Sequence, residues 1–228
     1  MNTALVIAAH PDDEVLGCGG MIARMAEAGW DVHTLILAEG STSRDPVRDR
    51  AARNQELSEL AACAHRAAKV LGSKSVRLEA FPDNRMDGVE LLDVVKIIEA
   101  EVARVRPARV LTHHIGDVNV DHTIIHNAVA AACRPVPGSC VREVLYFEVP
   151  SSTEWRGAHS ARAFCPSLFV DIASTLARKV LALQAYASEM RAFPHARSIA
   201  AVEHLARWRG ATVGCEAAEA FEIGRRIE

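Results

Sequence analysis

Residues 4–20 read ALVIAAHPDDEVLGCGG. The stretch from Ala4 to Ala9 is apolar and of strand length, bounded at once by a histidine and a proline. Asp12, Asp13 and Glu14 follow directly, so three acids stand where a buried strand should be ending. Like charges crowded together raise one another's pKa unless something positive offsets them, and the segment contains no lysine. Two explanations fit. The acids complement the dipole of a helix that starts here, at about 0.3–1 kcal/mol each, or they help to hold a divalent cation. Gly17, Gly19 and Gly20 do not form a G-x-G-x-x-G turn, because no glycine stands three residues after Gly19. They suit a helix packed closely on a sheet.

Working outward, Met21 to Ala28 is helical in pattern and closed by Gly29, and DVHTLILA (Asp31 to Ala38) is a second strand, so the chain opens with a βαβ unit. EGSTSRDP is a loop. Val47 to Leu71 is an Ala-, Glu- and Arg-rich helix stopped at Gly72, SVRLEAF a third strand, Val89 to Val105 a helix and ARVLTHH a fourth strand. A helix from His122 to Cys133, the strands REVLYFEV and FCPSLFVDI, and a helix from Ser174 to Met190 follow. The alternation predicts one α/β domain over residues 1–228, with a mainly parallel sheet covered by helices on both faces.

Ligands of open α/β sheets bind beyond the carboxyl ends of the strands. That rule brings together His10, Asp12 and Asp13 after strand one, Ser41 to Arg44 after strand two, Asp83 to Arg85 after strand three, and HHIGDVNVDH (residues 113–122) after strand four. A tight turn lets His10 and Asp13 share one ion, and His122 completes a His₂Asp set. Three protein ligands plus a water is the pattern of a catalytic zinc site, and other first-row divalent ions accept the same donors. Asp12, unligated, is placed to take a proton from that water. A solvated loop accounts for Asp117 and Asn119, whereas Asp121 supplies the acidic neighbour that a ligand histidine requires.

The bulk figures exclude several classes. The formal net charge is -3 and the 26 basic residues form no block, which argues against nucleic-acid or anionic-membrane binding. No apolar stretch is long enough to cross a membrane, and MNTALVIAAHPDDE lacks the basic start of a secretory signal. Cys18, Cys63, Cys133, Cys140, Cys165 and Cys215 form no C-x-x-C pair and read as reduced thiols of a cytoplasmic protein.

AHPDDE after the first strand and D-x-N-x-DH downstream resemble the PIG-L or LmbE-like family of zinc-dependent N-deacetylases. The Ser43-Arg44 loop, FPDNRMD, YFEVPSSTEW and the late RG…G…AEAF extend the resemblance over nearly the whole chain. It implies a Rossmann-like fold and hydrolysis of the acetyl group from an N-acetylated amino sugar or its conjugate. By position it makes His10, Asp13 and His122 the zinc ligands, Asp12 the general base, and Asp121 the residue that orients a site histidine. Many members carry H-P-D-H where this chain has Asn119-Val120-Asp121-His122. Asn119 can donate a hydrogen bond but not an imidazolium charge, so the tetrahedral intermediate needs positive charge from elsewhere. His113, His114, Arg85 and His195 are the candidates.

Arg44 and Arg85, on loops at the strand ends, suit a carboxylate, phosphate or nucleotide on the substrate. Arg53 fits better as a helix-surface partner of Glu56. Trp155 is a sugar-stacking or a packing aromatic, and His114 lies near enough in sequence to contact substrate. The apolar C-terminal helices and His195 are compatible with a homo-oligomer. Two rival functions are cleavage of a larger sugar–thiol amide by the same machinery, and nucleotide or carbohydrate binding without hydrolysis.

Overall fold

In the computed structural model the described residues are 2–157 and 162–228. The strands β1 (Thr3–Ala8), β2 (Asp31–Ala38), β3 (Ser75–Phe81), β4 (Arg109–His113), β5 (Glu143–Phe147), β6 (Leu168–Asp171) and β7 (Ala218–Arg226) form one seven-stranded sheet, ordered β3-β2-β1-β4-β5-β7-β6. β1 to β5 run parallel; β7 is antiparallel to both β5 and β6. β1 leads to β2 on one side while β4 pairs with its other side, so strand order reverses between β1 and β4 and opens a crevice beyond their carboxyl ends. His10 and His122 both lie just past those ends.

β1 explains why its sequence is apolar without alternation. Ala4, Val6 and Ala8 face one hydrophobic cluster, and Leu5, Ile7 and Ala9 face another, all fully buried. A strand covered on both faces has no solvent side to mark with polar residues. The first cluster holds the sheet against α1 (Asp13–Glu27), α2 (Asn54–Leu71) and α5 (Leu176–Ala185); the second holds it against α3 (Leu91–Val105) and α4 (Val120–Ala132). A last helix, α6 (Ile199–Ala211), packs on β7.

Several boundaries differ from the sequence expectation. α1 starts at Asp13, not Met21, and takes the glycine segment into the helix. Packing explains how: a Cβ on Gly17 would lie 2.3 Å from Phe147, and one on Gly20 2.7 Å from Ile172. The helix breaks at Cys18, where φ is -147° and ψ 24°. The amides of Gly20 and Met21 donate to the buried Glu219 carboxylate at 2.9 and 2.7 Å, and the Lys179 ammonium donates to the Leu16 carbonyl at 2.8 Å and to Glu219 at 2.6 Å. Groups orphaned by the break therefore end on a buried ion pair. α2 starts at Asn54 instead of Val47, because Arg48 and Arg50 on the preceding segment reach back to Glu39. α5 spans less than Ser174 to Met190. α6 and β7 had no counterpart in the expected elements. No described helix is long and apolar enough to cross a membrane.

Candidate metal centre

The turn after β1 places His10 Nδ1 3.2 Å from Asp13 Oδ2, and the first turn of α4 brings His122 Nε2 to 3.1 Å from the same oxygen. The ligand atoms of all three residues lie within 4.8 Å of one another. Such spacing matches three donors about 2 Å from a shared ion. His122 gives a second reason to place a cation here. Its ring is 1 % exposed, and Nε2 has no hydrogen-bond partner. A buried polar atom without an aligned hydrogen bond costs about 1–3 kcal/mol, and an ion held between Nε2 and Asp13 Oδ2 would satisfy both atoms.

His10, Asp83 and Asp121 form another possible metal-binding group, through the opposite ring nitrogen. Their oxygens are already committed. Asp121 Oδ2 accepts from the Asn84 amide at 2.6 Å and Oδ1 from the Met86 amide at 3.0 Å, while Asp83 Oδ2 accepts from the Ser43 amide at 2.9 Å. We therefore assign Asp121, 2.9 Å from His10 Nε2, and Asp83, 3.2 Å away, as carboxylates that fix the outer edge of the His10 ring.

Two expectations change with this geometry. Asp121 does not serve its sequence neighbour: adjacent residues of a helix point in different directions, so Asp121 meets His10. His122 is faced by Asp117, whose Oδ2 lies 3.0 Å from Nδ1, outside hydrogen-bond alignment. Asp117 is not a solvated loop acid. It is 1 % exposed and accepts from the Ser152 hydroxyl, from Thr153 Oγ1 at 2.7 Å and from the Asn119 amide at 2.8 Å. Burial pushes its carboxyl up, but the His122 charge and these donors outweigh it and hold the pKa at about 2. Burial likewise opposes the charge on His122, yet Asp13 and Asp117 prevail and raise it to about 9. Ser152 and Thr153 of YFEVPSSTEW thus hold Asp117, the carboxylate that faces His122.

Asp12 is 1 % exposed at φ 113° and faces the cleft. Burial pushes its carboxyl well up, and Arg197, 3.2 Å from Oδ2, pulls against that shift. Arg197 also donates to Ser151 Oγ at 3.0 Å. It comes from the segment after α5, and no motif in the sequence pointed to it. Glu14 supports the turn from behind: its carboxylate accepts from the Asp12 amide at 3.1 Å and from the Tyr186 hydroxyl at 2.7 Å.

The expected charge donors fare differently. His113 Nε2 accepts from the Ala9 amide at 2.8 Å, and its ring stacks on His122 with centroids 3.8 Å apart. Burial first, then the neighbouring His122, hold its pKa well below the usual range, so it carries no charge to a substrate. His114 is sequestered between Glu222 and the Arg162 carbonyl, each 2.7 Å away, and does not face the cleft. Arg85 turns away and donates to the carbonyls of Asp45 and Pro46. His195 is exposed at the cleft's outer rim, edge-on to Trp155, so it is not beside the metal ligands. Asn119 caps α4 through its side-chain oxygen and donates to Asn84 at 2.9 Å. Arg44 lines the cleft, paired with Glu189. Arg53 pairs with Glu56 and Asp45, as its helix position suggests.

Above the ligands lies an inner compartment of about 200 Å³, walled mostly by polar residues that include Ser41, Asp83 and Asn84. Ser41 Oγ is buried without a partner. Asp12, Ser41 and Asn84 all have positive φ, at 113°, 59° and 52°. Backbone strain of this kind clusters at functional sites.

Comparison with known proteins places the chain in a family. The family described as PIG-L: GlcNAc-PI de-N-acetylase matches residues 5–133. The uncharacterized deacetylase YaiS of Escherichia coli K12 is 30 % identical over 153 residues, 65 % of this chain and 74 % of that protein. The probable N-acetyl-α-D-glucosaminyl L-malate deacetylase 2 of Bacillus anthracis is 25 % identical over 194 residues, 81 % and 80 % of the two chains. Among solved structures, GalB, the 4-carboxy-2-hydroxymuconate hydratase of Pseudomonas putida KT2440, superposes with a TM-score of 0.78 at 26 % identity, covering 100 % of this chain and 98 % of that one.

Proposed function

The chain belongs to the PIG-L, GlcNAc-PI de-N-acetylase, family, and on that premise we propose that residues 1–228 act as one metal-dependent deacetylase domain. It removes the acetyl group from an N-acetylated amino sugar or sugar conjugate, with zinc as the metal. The observation that carries the proposal is the convergence of His10 Nδ1, Asp13 Oδ2 and the unpartnered His122 Nε2 beside Asp12 at the floor of a polar cleft.

When bound, a divalent ion supplies carbonyl polarisation and a water of lowered pKa. Asp12 takes the proton of the attacking water as its oxygen bonds to the acetamide carbon. As the C–N bond breaks, Asp12 returns that proton to the leaving amine, and acetate and the free amino sugar result. Arg197 holds Asp12 Oδ2 and brings a guanidinium into the cleft. We assign it the positive charge for the oxyanion that Asn119 does not carry, because His113 is neutral and His114 and Arg85 face elsewhere. Ser41, Asn84 and Asn119 offer hydrogen bonds to sugar hydroxyls. The six unpaired cysteines fit a reducing, cytoplasmic setting.

A second reading is water addition to an unsaturated carboxylic acid. The similarity to GalB favours it, as do the arginines of the cleft. One assay separates the two: the zinc-loaded protein is offered N-acetylglucosamine, its methyl glycoside and acidic glycosides, and, separately, unsaturated di- and tricarboxylates. Acetate release is expected from the sugars. Loss of ultraviolet absorbance from the acids without acetate from any sugar would overturn the deacetylase reading.

A further inference from the structure

The cleft continues beyond the inner compartment. An outer space of about 220 Å³ is bounded by Ser151, Trp155, Glu189, Arg191, His195 and Arg197, and the inner compartment shares Glu189, Arg191 and Arg197 with it. A substrate reaching both spaces has a second unit beyond the one that carries the acetamide.

The charges of this outer space do not cancel. Glu189 gives both oxygens to Arg44 Nη2, at 2.9 and 2.7 Å. Arg197 is engaged with Asp12 and Ser151. Arg191 donates through Nη1 to the carbonyls of Ser188 and Met190 at 2.9 and 3.1 Å, and no carboxylate among the described residues pairs with it. One guanidinium is therefore left over at the cleft wall. Beside it Trp155 is 57 % exposed and meets His195 edge-on, with centroids 6.0 Å apart. The backbone at Ser151 is held at φ 71°, a further strained position on the same wall.

We propose that the outer compartment is an anion subsite, which binds a carboxylate or phosphate carried by the second unit of the substrate, with Arg191 as the specificity-determining residue. The planar fork of a guanidinium suits both oxyanions, and Trp155 supplies an apolar wall for the atoms that link them to the sugar. The orientation rests on the deacetylase reading, which puts the acetamide at the inner end.

The test compares three N-acetylglucosaminides: the methyl glycoside, a carboxymethyl glycoside and the 1-phosphate. With zinc-loaded protein, kcat/KM for acetate release is expected to be about tenfold or more higher for the anionic members, mainly through KM. The preference shrinks with added salt. In Arg191→Gln the ratio of anionic to methyl glycoside falls towards one, and in Arg191→Lys it is partly kept. Whichever of the carboxymethyl and phosphate glycosides shows the larger Arg191-dependent ratio identifies the anion. Equal kcat/KM for all three, or an unchanged ratio in Arg191→Gln, overturns the subsite.

Calorimetric titration of the wild-type protein with the same glycosides separates this outcome from failure of the deacetylase reading. Tighter, Arg191-dependent binding of the anionic glycosides without acetate release keeps the subsite and rejects the activity. Equal binding without release rejects the subsite as well.

Discussion

Asp12 sits at φ 113°, a conformation that asparagine tolerates better than alanine. Asp12→Asn therefore removes the base while leaving the turn intact. It should retain zinc by elemental analysis yet lose about 10²–10⁴-fold in kcat, and full turnover in this variant would refute the base assignment. His122 contributes to the pH dependence expected of metal binding, as does His10, where burial opposes the charge but the Asp121, Asp13 and Asp83 carboxylates raise the pKa. In the metal-free protein the pKa of His122 is raised to about 9, above the unfolded value of about 6.5. The stability it contributes is fully present below pH 6.5 and is lost as pH rises through 9. An incoming ion must displace that proton, so below pH 9 zinc affinity should weaken by roughly tenfold per pH unit for this group. The rise in Tm produced by zinc should accordingly grow from pH 6.5 to pH 9, which thermal melts at fixed free zinc would show.

At the scale of elements, the break in α1 turns the Asp13 end of the helix independently of the rest, and Lys179 of α5 and Glu219 of β7 hold the break. The pair is buried, so removing one partner leaves an uncompensated charge, at about 3–5 kcal/mol. In a chain of this length that is a fall in Tm of roughly 6–20 °C for Glu219→Gln. The double variant Lys179→Met with Glu219→Gln should melt above that single variant, because no buried charge is then stranded. A double variant that melts lower still would show that Lys179 stabilises the break through the Leu16 carbonyl and not through the ion pair. Glu14 adds a slower trend beneath the same turn. Burial, set against the Tyr186 hydroxyl and backbone donors, raises its pKa to about 7. Folding is thus favoured below about pH 4.5, and that contribution falls away as pH rises through 7. The stability gap between wild type and Glu14→Gln should narrow over the same interval.

Across the whole molecule, the order of β1 to β5 and the helices between them was legible, because parallel strands buried on both faces leave continuous apolar runs such as ALVIAA. β7 was not. AEAFEIGRR carries acids on a strand inserted antiparallel between β5 and β6, and Glu219 looks like a surface residue until the break in α1 claims it. The three proposed ligands were legible for a related reason: each directly follows an apolar strand or opens the next helix. Arg197 lies 185 residues from Asp12 in sequence, in a stretch where only His195 stood out as a candidate. Only tertiary placement separates it from Arg85, which sequence position favoured and the fold directs away. The exchange of partners between Asp117 and Asp121 was hidden because adjacency in sequence is not adjacency on a helix.

These parts meet in the claim that His10, Asp13 and His122 hold the ion that the deacetylation needs. Titrating zinc into metal-stripped protein, while following acetate release from the best glycoside, tests it most directly. The rate should be negligible without metal, rise in proportion to zinc, and level off at about one ion per chain, as one three-ligand site requires. Full acetate release from the stripped protein held in chelator, or no release at any zinc ratio, would contradict the account.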